Sequence, residues 1–379
     1  MEVYFKQEVT VKRNRRSGLI TDLPCFFDRT TLPRIISATA LGLFMLLSAT
    51  EISRADENGI SFWIPGFFGS LAATPQQSGW SLASVYYHTD VSASGNVAVS
   101  REITIGQFNP ALNTSLSANV AARANLGMLI PSYVFATPVL GGQASISLLG
   151  MYGSNDTSLN GTLAGTLAGI PFTRSFALEQ TTIAFADLVP QFALRWNAGV
   201  NNYMVYLTGD IPVGLYDRTN LANLGLGHGA IDGGFGYTYF NPATGHEISA
   251  TLGFTGNFKN TATDYTSGID MHLDVGASQF LTKQLQVGVV AYAYEQLTAD
   301  QGCAPQLCPF KSRVLGIGPQ IGYVFPVGGM QGYVNVKAYK EFENANRPDG
   351  WNAWITFVLS PAPPAAAPSP PMVTKAPRS

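Results

Sequence analysis

The sequence predicts an all-β fold, a transmembrane antiparallel β-barrel of about 12 strands, with 14 as the alternative count, and three observations predict it. Hydrophobic residues make up 46% of the 379 positions and charged residues only 12%, against roughly 25% charged in an average soluble protein. Mean hydropathy is nevertheless just +0.12, because 39 glycines and many Ser, Thr, Asn and Gln dilute the apolar residues instead of leaving them gathered in spans. Second, segments of about ten residues alternate apolar and polar positions, the pattern of strands with one face in lipid and the other in water. Third, the connections between those segments alternate between short and long, as in barrels of the bacterial outer membrane.

The N-terminal residues 1–55 read as an extension and signal peptide. Arg29 and Arg34 precede an apolar run at 35–49 (IISATALGLFMLLSA), and Ser53-Arg54-Ala55 offers small residues at −3 and −1, which places cleavage after Ala55. The uncharged run is shorter than the ~20 residues a membrane-spanning helix needs. Residues 1–55 carry eight Lys and Arg against five Asp and Glu, leaving 14 against 19, a net −5, for the remainder. That mildly acidic body has no electrostatic footprint for nucleic acid.

Residues 56–79 (DENGISFWIPGFFGSLAATPQQSG) are rich in Gly, Pro and aromatics and lack a period. They precede a barrel over 80–360. Strands are expected at 80–92, 118–136, 143–152, 187–197, 202–211, 229–240, 246–258, 268–280, 285–298, 311–324, 330–343 and 350–360. In 202–210, Tyr203, Val205 and Leu207 share one face against Asn202, Met204, Tyr206, Thr208 and Asp210. The uncharged stretch 124–155 is no helix, since Pro131, Pro138 and Gly141-Gly142 interrupt it; it is two strands around a turn. AGVN, NPATG, TKQ and FPVGG are short connections, whereas 153–186, 212–228, 259–267 and 299–310 are long. Residues 97–106 (VAVSREITIG) could add a strand, which would force the count to 14. The last strand (WNAWITFVL) ends in aromatics of the kind that barrel assembly machinery reads, and the Pro- and Ala-rich residues 361–379 form a disordered tail. Cys303 and Cys308, at short spacing in an exported chain, are most simply a disulfide closing an outer loop; no His or acidic cluster adjoins them, so no metal is expected.

The inward phase of these strands holds the candidate chemistry: Asp187, Gln191, Arg195, Asp210, Asp232, Glu247, Asp270, His272, Asp274, Lys337 and Glu341. Charge inside a barrel meets water or a partner, so it lines a permeation path or forms a salt-bridge network that stiffens the barrel. Tyr206, Phe240, Tyr292, Tyr294, Tyr333, Tyr339 and Trp354 fall on the same phase. Rings in a narrow lumen suit apolar or aromatic solutes, or simply supply bulk. Phe62, Trp63, Phe67 and Phe68 are the aromatic residues of the aperiodic segment 56–79. A hydrolytic barrel would need Ser and His together; of His88, His228, His246 and His272, only His272 has carboxylates at i−2 and i+2 (Asp270 and Asp274), with Ser249 or Thr251 one strand away. No spacing specifies a catalytic triad, and LGLGHGAIDGG around His228 lacks the nucleotide-binding spacing. No enzyme and no cofactor is expected.

The segments RWNAGVNNYMVYLTGDIPVGLYD (195–217), LANLGLGHGAIDGGFGYTYFNPATGHE (221–247), GIDMHLDVGASQFLTKQ (268–284), FATPVLGGQA (135–144) and the stretch 311–357 resemble the MetA-pathway of phenol degradation family, also described as SphA-like outer-membrane proteins. The resemblance covers about 79–361. It implies a barrel in the outer membrane of a Gram-negative bacterium, in contact with its lipids. It further implies passive inward movement of small hydrophobic or aromatic compounds, as in the related fatty-acid transporters, whose N-terminal segment plugs the barrel; residues 56–79 are then a plug or periplasmic segment, with Phe62, Trp63, Phe67 and Phe68 as plug residues. It carries over no catalytic residues, and neither the tail nor the cysteine pair belongs to the pattern. The alternative is a closed structural barrel without transport; a barrel-embedded hydrolase stands behind both.

Overall fold

The computed structural model describes residues 61–94, 114–167, 170–302 and 311–363. The signal-peptide, disulfide and tail expectations fall outside these residues, as does the candidate strand at 97–106. All regular structure among the described residues is strand: β1 (Gly79–Ser94), β2 (Thr114–Val134), β3 (Gln143–Leu167), β4 (Ile170–Phe185), β5 (Val189–Ala198), β6 (Asn201–Asp210), β7 (Ala230–Asn241), β8 (His246–Asn257), β9 (Asp270–Phe280), β10 (Leu285–Gln296), β11 (Arg313–Val327), β12 (Met330–Ala345) and β13 (Asp349–Pro361).

Every neighbouring pair is antiparallel, and β1 pairs with both β2 and β13, so the sheet closes on itself. Closure satisfies each strand's backbone within the wall, which is what allows strands to cross a bilayer. The 13 strands make 12 crossings. Gln143–Leu149 of β3 pairs with β5 and Tyr152–Leu167 with β4, so β4 and β5 are the two halves of one descending crossing, interrupted at 186–188.

The expected count of 12 therefore holds, but the expected long loop at 153–186 is instead an extended hairpin. β3 continues for 25 residues and pairs with β2 as far as Thr114↔Gly165. On this extension Ser, Thr, Asn and Gly are frequent and the apolar residues turn inward, Leu159 beside Ala118 and Val120 of β2, so the lipid-facing apolar phase of the wall does not continue there.

Tight turns gather at one end. Gly199, Gly245, Gly328 and Gly329 adopt positive φ there, a conformation glycine reaches without steric penalty. Following the short-turn rule, this is the periplasmic end.

Along each strand the faces alternate as the sequence predicts. On β6, Asn202, Met204, Tyr206, Thr208 and Asp210 are buried, while Tyr203, Val205 and Leu207 are exposed. The outward residues form an apolar belt that includes Leu129, Ile183, Leu207, Phe235, Ile248, Val289 and Ile355. Aromatic pairs edge the belt: Trp80–Tyr133 (5.2 Å) and Tyr203–Tyr237 (5.5 Å) toward the short turns, and Tyr152–Phe185 (4.8 Å) on the other side. A closed barrel with this belt belongs in the outer membrane of a Gram-negative bacterium.

Leu207 lies midway along the belt, so Leu207→Arg should cost about 2–4 kcal/mol of folding free energy in lipid vesicles. Urea titration of refolded protein measures this; an unchanged midpoint would mean the face does not meet lipid.

Candidate functional site: the lumen and the segment inside it

Residues 61–78 precede β1 and run through the lumen without forming a strand. An irregular backbone removed from water needs partners for its N–H and C=O groups. Here polar side chains of the barrel wall provide them. Asp274 on β9 accepts from Gly66 N (2.8 Å) through one carboxylate oxygen and from Phe68 N (3.2 Å) through the other. Leu71 N donates to Glu247 (2.9 Å) and to Ser249 Oγ (3.0 Å), and Ala73 N donates to Thr238 Oγ1 (3.1 Å). On the carbonyl side, Lys337 Nζ donates to Gly66 O, Phe67 O (3.2 Å) and Phe68 O (3.0 Å), and Arg195 Nε to Ala72 O (3.4 Å). Gln320 and Arg347 add bonds to Ser70 Oγ (2.6 Å) and Ser61 Oγ (3.0 Å).

Two glycines make the approach fit. Gly66 has φ +87°, and a Cβ there would sit 2.9 Å from the Tyr339 ring. On the wall, a Cβ at Gly276 would fall 2.6 Å from Ser70 N. Gly253 serves the wall itself, since a side chain there would collide with the Tyr206 hydroxyl and His272.

The segment's rings pack against the rings of the wall. Trp63 stacks on His272 (centroids 3.8 Å apart, 13° between planes) and lies 6.1 Å from Tyr206. Phe68 meets Tyr206 edge-on at 5.2 Å, and Phe67 meets Trp354 edge-on at 6.2 Å. Trp63 is 5% exposed, whereas Phe62 is half-buried.

The predicted lumen residues Arg195, Asp210, Asp270, His272, Asp274, Tyr206, Tyr292, Tyr294 and Tyr339 are all buried, and Tyr333 is half-buried. They do not form one cluster. Arg195, Asp274 and Lys337 hold the N-terminal segment. Tyr292 donates to Glu341 (2.6 Å), Tyr333 to Gln286 (3.1 Å), and Arg347 covers Tyr294 at 4.6 Å. Asp270 accepts from Asn257 (2.8 Å).

His272 is held by Asp232 (2.9 Å) two strands away and contacts the Tyr206 hydroxyl at 3.3 Å, not by Asp270 or Asp274 as their i±2 spacing suggests. Residues two apart on a strand are separated by almost 7 Å, while Gly253 leaves the space between β7 and β9 open. Ser249 bonds to Glu247 and Thr238 instead of His272. Among the described residues no cluster of His, Cys, Asp or Glu could hold a metal ion.

At the outer end, the connection 211–229 folds inward against the β3–β4 hairpin. Asp187 accepts from Gly214 N and Leu226 N (both 2.7 Å), Thr182 donates to Ala222 O (2.8 Å), and Leu221 packs against Ala118, Val120 and Leu159. Beyond the glycines around His228, no pattern in the sequence marks this fold-back. The contacts of 61–78 with the wall also went unforeseen, although glycines in the inward phase, such as Gly253, hint at close approach.

The family described as "Putative MetA-pathway of phenol degradation" matches residues 83–357, and the chain belongs to it. No curated protein matches the sequence. Among solved structures, an outer membrane channel from Pseudomonas putida F1 is similar in fold, with 12% identity and a TM-score of 0.52, covering 78% of this chain and 99% of that one. A Pseudomonas aeruginosa FadL homologue aligns at 10% identity and TM-score 0.32, over 82% and 98% of the two chains. The transport unit of the Escherichia coli autotransporter AIDA-I aligns at 8% identity and TM-score 0.35, over 78% and 93%. The protein is thus an outer-membrane β-barrel of this family.

Removing the Asp274 acceptors leaves two N–H groups of the segment unpaired, at about 1–3 kcal/mol. Asp274→Ala in a Ser70→Cys background should speed maleimide labelling of residue 70 roughly tenfold. An unchanged rate would mean that Asp274 does not hold the segment.

Proposed function

We propose that the protein is a passive channel for small hydrophobic or aromatic compounds, with residues 56–79 as a plug in the lumen. The observation that carries this reading is the way the lumen's charged groups are used. Asp274, Glu247, Lys337 and Arg195 bind the backbone of a separate segment and are not consumed in a network among themselves. A closed structural barrel would gain more from direct ion pairs. The ring-lined wall against which Phe67 and Phe68 pack suits aromatic solutes, in agreement with the family's link to phenol degradation.

The channel is read as no enzyme, since the described partners of His272 are Asp232 and Tyr206, with the ring of Trp63 against its face. The terminal strand β13 is read as the segment offered to the barrel assembly machinery. On the outer side, the fold-back 211–229 narrows the entrance, and the interruption between β4 and β5 makes this the part of the wall with the weakest ladder.

Uptake of a labelled alkylphenol at limiting concentration should be faster, and should saturate, in cells that carry the protein. Deleting residues 56–79 should raise ion conductance in planar bilayers while the barrel still folds. Equal uptake with a silent bilayer would leave a closed surface barrel, and unchanged conductance on deletion would remove the plug.

A further inference from the structure

We infer that Lys337 and the ring-lined slot filled by Phe67 form a binding site for a planar aromatic compound with an oxygen acceptor on the ring, a phenol, and that residues 66–68 occupy it as a built-in surrogate. This rests on the channel reading and names the site at which a solute would compete with the plug.

Lys337 is only 6% exposed, and no described carboxylate lies within ion-pair distance of it. Burial of an ammonium group without acceptors is costly. Its acceptors are the carbonyls of Gly66, Phe67 and Phe68, all on the N-terminal segment. From the wall it meets the ring faces of Trp354 at 5.1 Å and Tyr339 at 5.9 Å and, across residue 66, the Asp274 carboxylate. When the segment leaves, Lys337 loses these three carbonyl acceptors and its ammonium is available to the oxygen of a solute.

The slot beside it keeps its shape without the segment. Trp354 Nε1 donates to Asn352 Oδ1 (3.0 Å), Asn352 Nδ2 donates to Tyr292 OH (2.9 Å), and Tyr292 donates to Glu341. Tyr87 lies 4.4 Å from Trp354 on the far side. These are bonds of barrel to barrel, so the rings stay in place.

Phe67 shows what the slot accepts. Its phenyl ring lies edge-on to Trp354 while its carbonyl oxygen meets Lys337 at 3.2 Å. A phenol offers the same pair of features in one small molecule. Asp274 completes the match, because it and Lys337 bracket one residue, Gly66, through its N–H and its C=O. A phenolic hydroxyl in the slot would accept from Lys337 and turn its proton toward the side of Asp274. A hydrocarbon of the same size fills the slot but leaves both groups unpaired.

The test compares p-cresol with p-xylene, in which a methyl group replaces the hydroxyl. Binding to the refolded full chain is followed by tryptophan fluorescence. The wild type should prefer p-cresol by about tenfold, the worth of a hydrogen bond to a charged group. Lys337→Met should abolish that preference, Lys337→Arg should keep it, and Phe67→Ala should tighten both ligands by vacating the slot. Both affinities are referred to the free aqueous ligand, because p-xylene partitions into detergent more than p-cresol. The change of the ratio between wild type and Lys337→Met in the same detergent is insensitive to a general loosening of the plug. Equal binding by the wild type, or a preference that survives in Lys337→Met, overturns the site. If cells still take up p-cresol in that case, the channel reading stands without it; if neither compound binds or enters, both fail.

Discussion

An irregular peptide inside a membrane barrel must have its backbone hydrogen bonds satisfied by something other than secondary structure. In this protein the barrel wall does so, one polar side chain at a time, and the rest of the interior follows from it. Asp274 and Glu247 face the N–H groups of residues 66–71, and Lys337 and Arg195 face the carbonyls of 66–72. Ionised groups make stronger hydrogen bonds than neutral ones, so a few carboxylates and cations can hold a segment that has no fold of its own. The same groups are held apart by the peptide between them, which keeps the lumen from collapsing into ion pairs.

The outer and inner faces solve opposite problems with the same strands. Outward residues need only be apolar and of about the right size, so the lipid belt is written in simple alternation. Inward residues must match specific neighbours. Tyr206 reaches His272 only because β8 carries Gly253 between them, and His272 in turn is a platform for Trp63. The wall is also not uniform. Between β4 and β5 the crossing is interrupted, and the connection 211–229 takes over, tied by Asp187 to Gly214 and Leu226.

This difference explains what the sequence could reveal. Period two identified the barrel, its 12 crossings and the inward phase of β6, β8, β9 and β12, because alternation is local. The β3–β4 extension escaped, since its outward face carries Ser, Asp and Asn in place of apolar residues and its apolar ones, such as Leu159, turn inward. The carboxylate partner of His272 was misread from i±2 spacing, whereas the contact with Asp232 depends on register across β7, β8 and β9. Residues 56–79 stood out by composition as an aperiodic segment, and the family resemblance made them the plug candidate. Their partners did not stand out, because Gly66 and Asp274 are 208 positions apart and an aperiodic segment has no register to extrapolate.

The central claim is that movement of residues 61–78 away from the wall opens the path. Ser70 Oγ meets the end of the Gln320 side chain at 2.6 Å, so Ser70→Cys with Gln320→Cys, too far apart for a direct disulfide, can be bridged by a short bis-thiosulfonate reagent that forms a reducible disulfide at each end. The most direct measurement is solute uptake by cells carrying this pair, before and after reduction of the bridge. The account predicts negligible uptake in the cross-linked protein and recovery to the level of the single variants on reduction. Equal uptake by the cross-linked and reduced forms would contradict it.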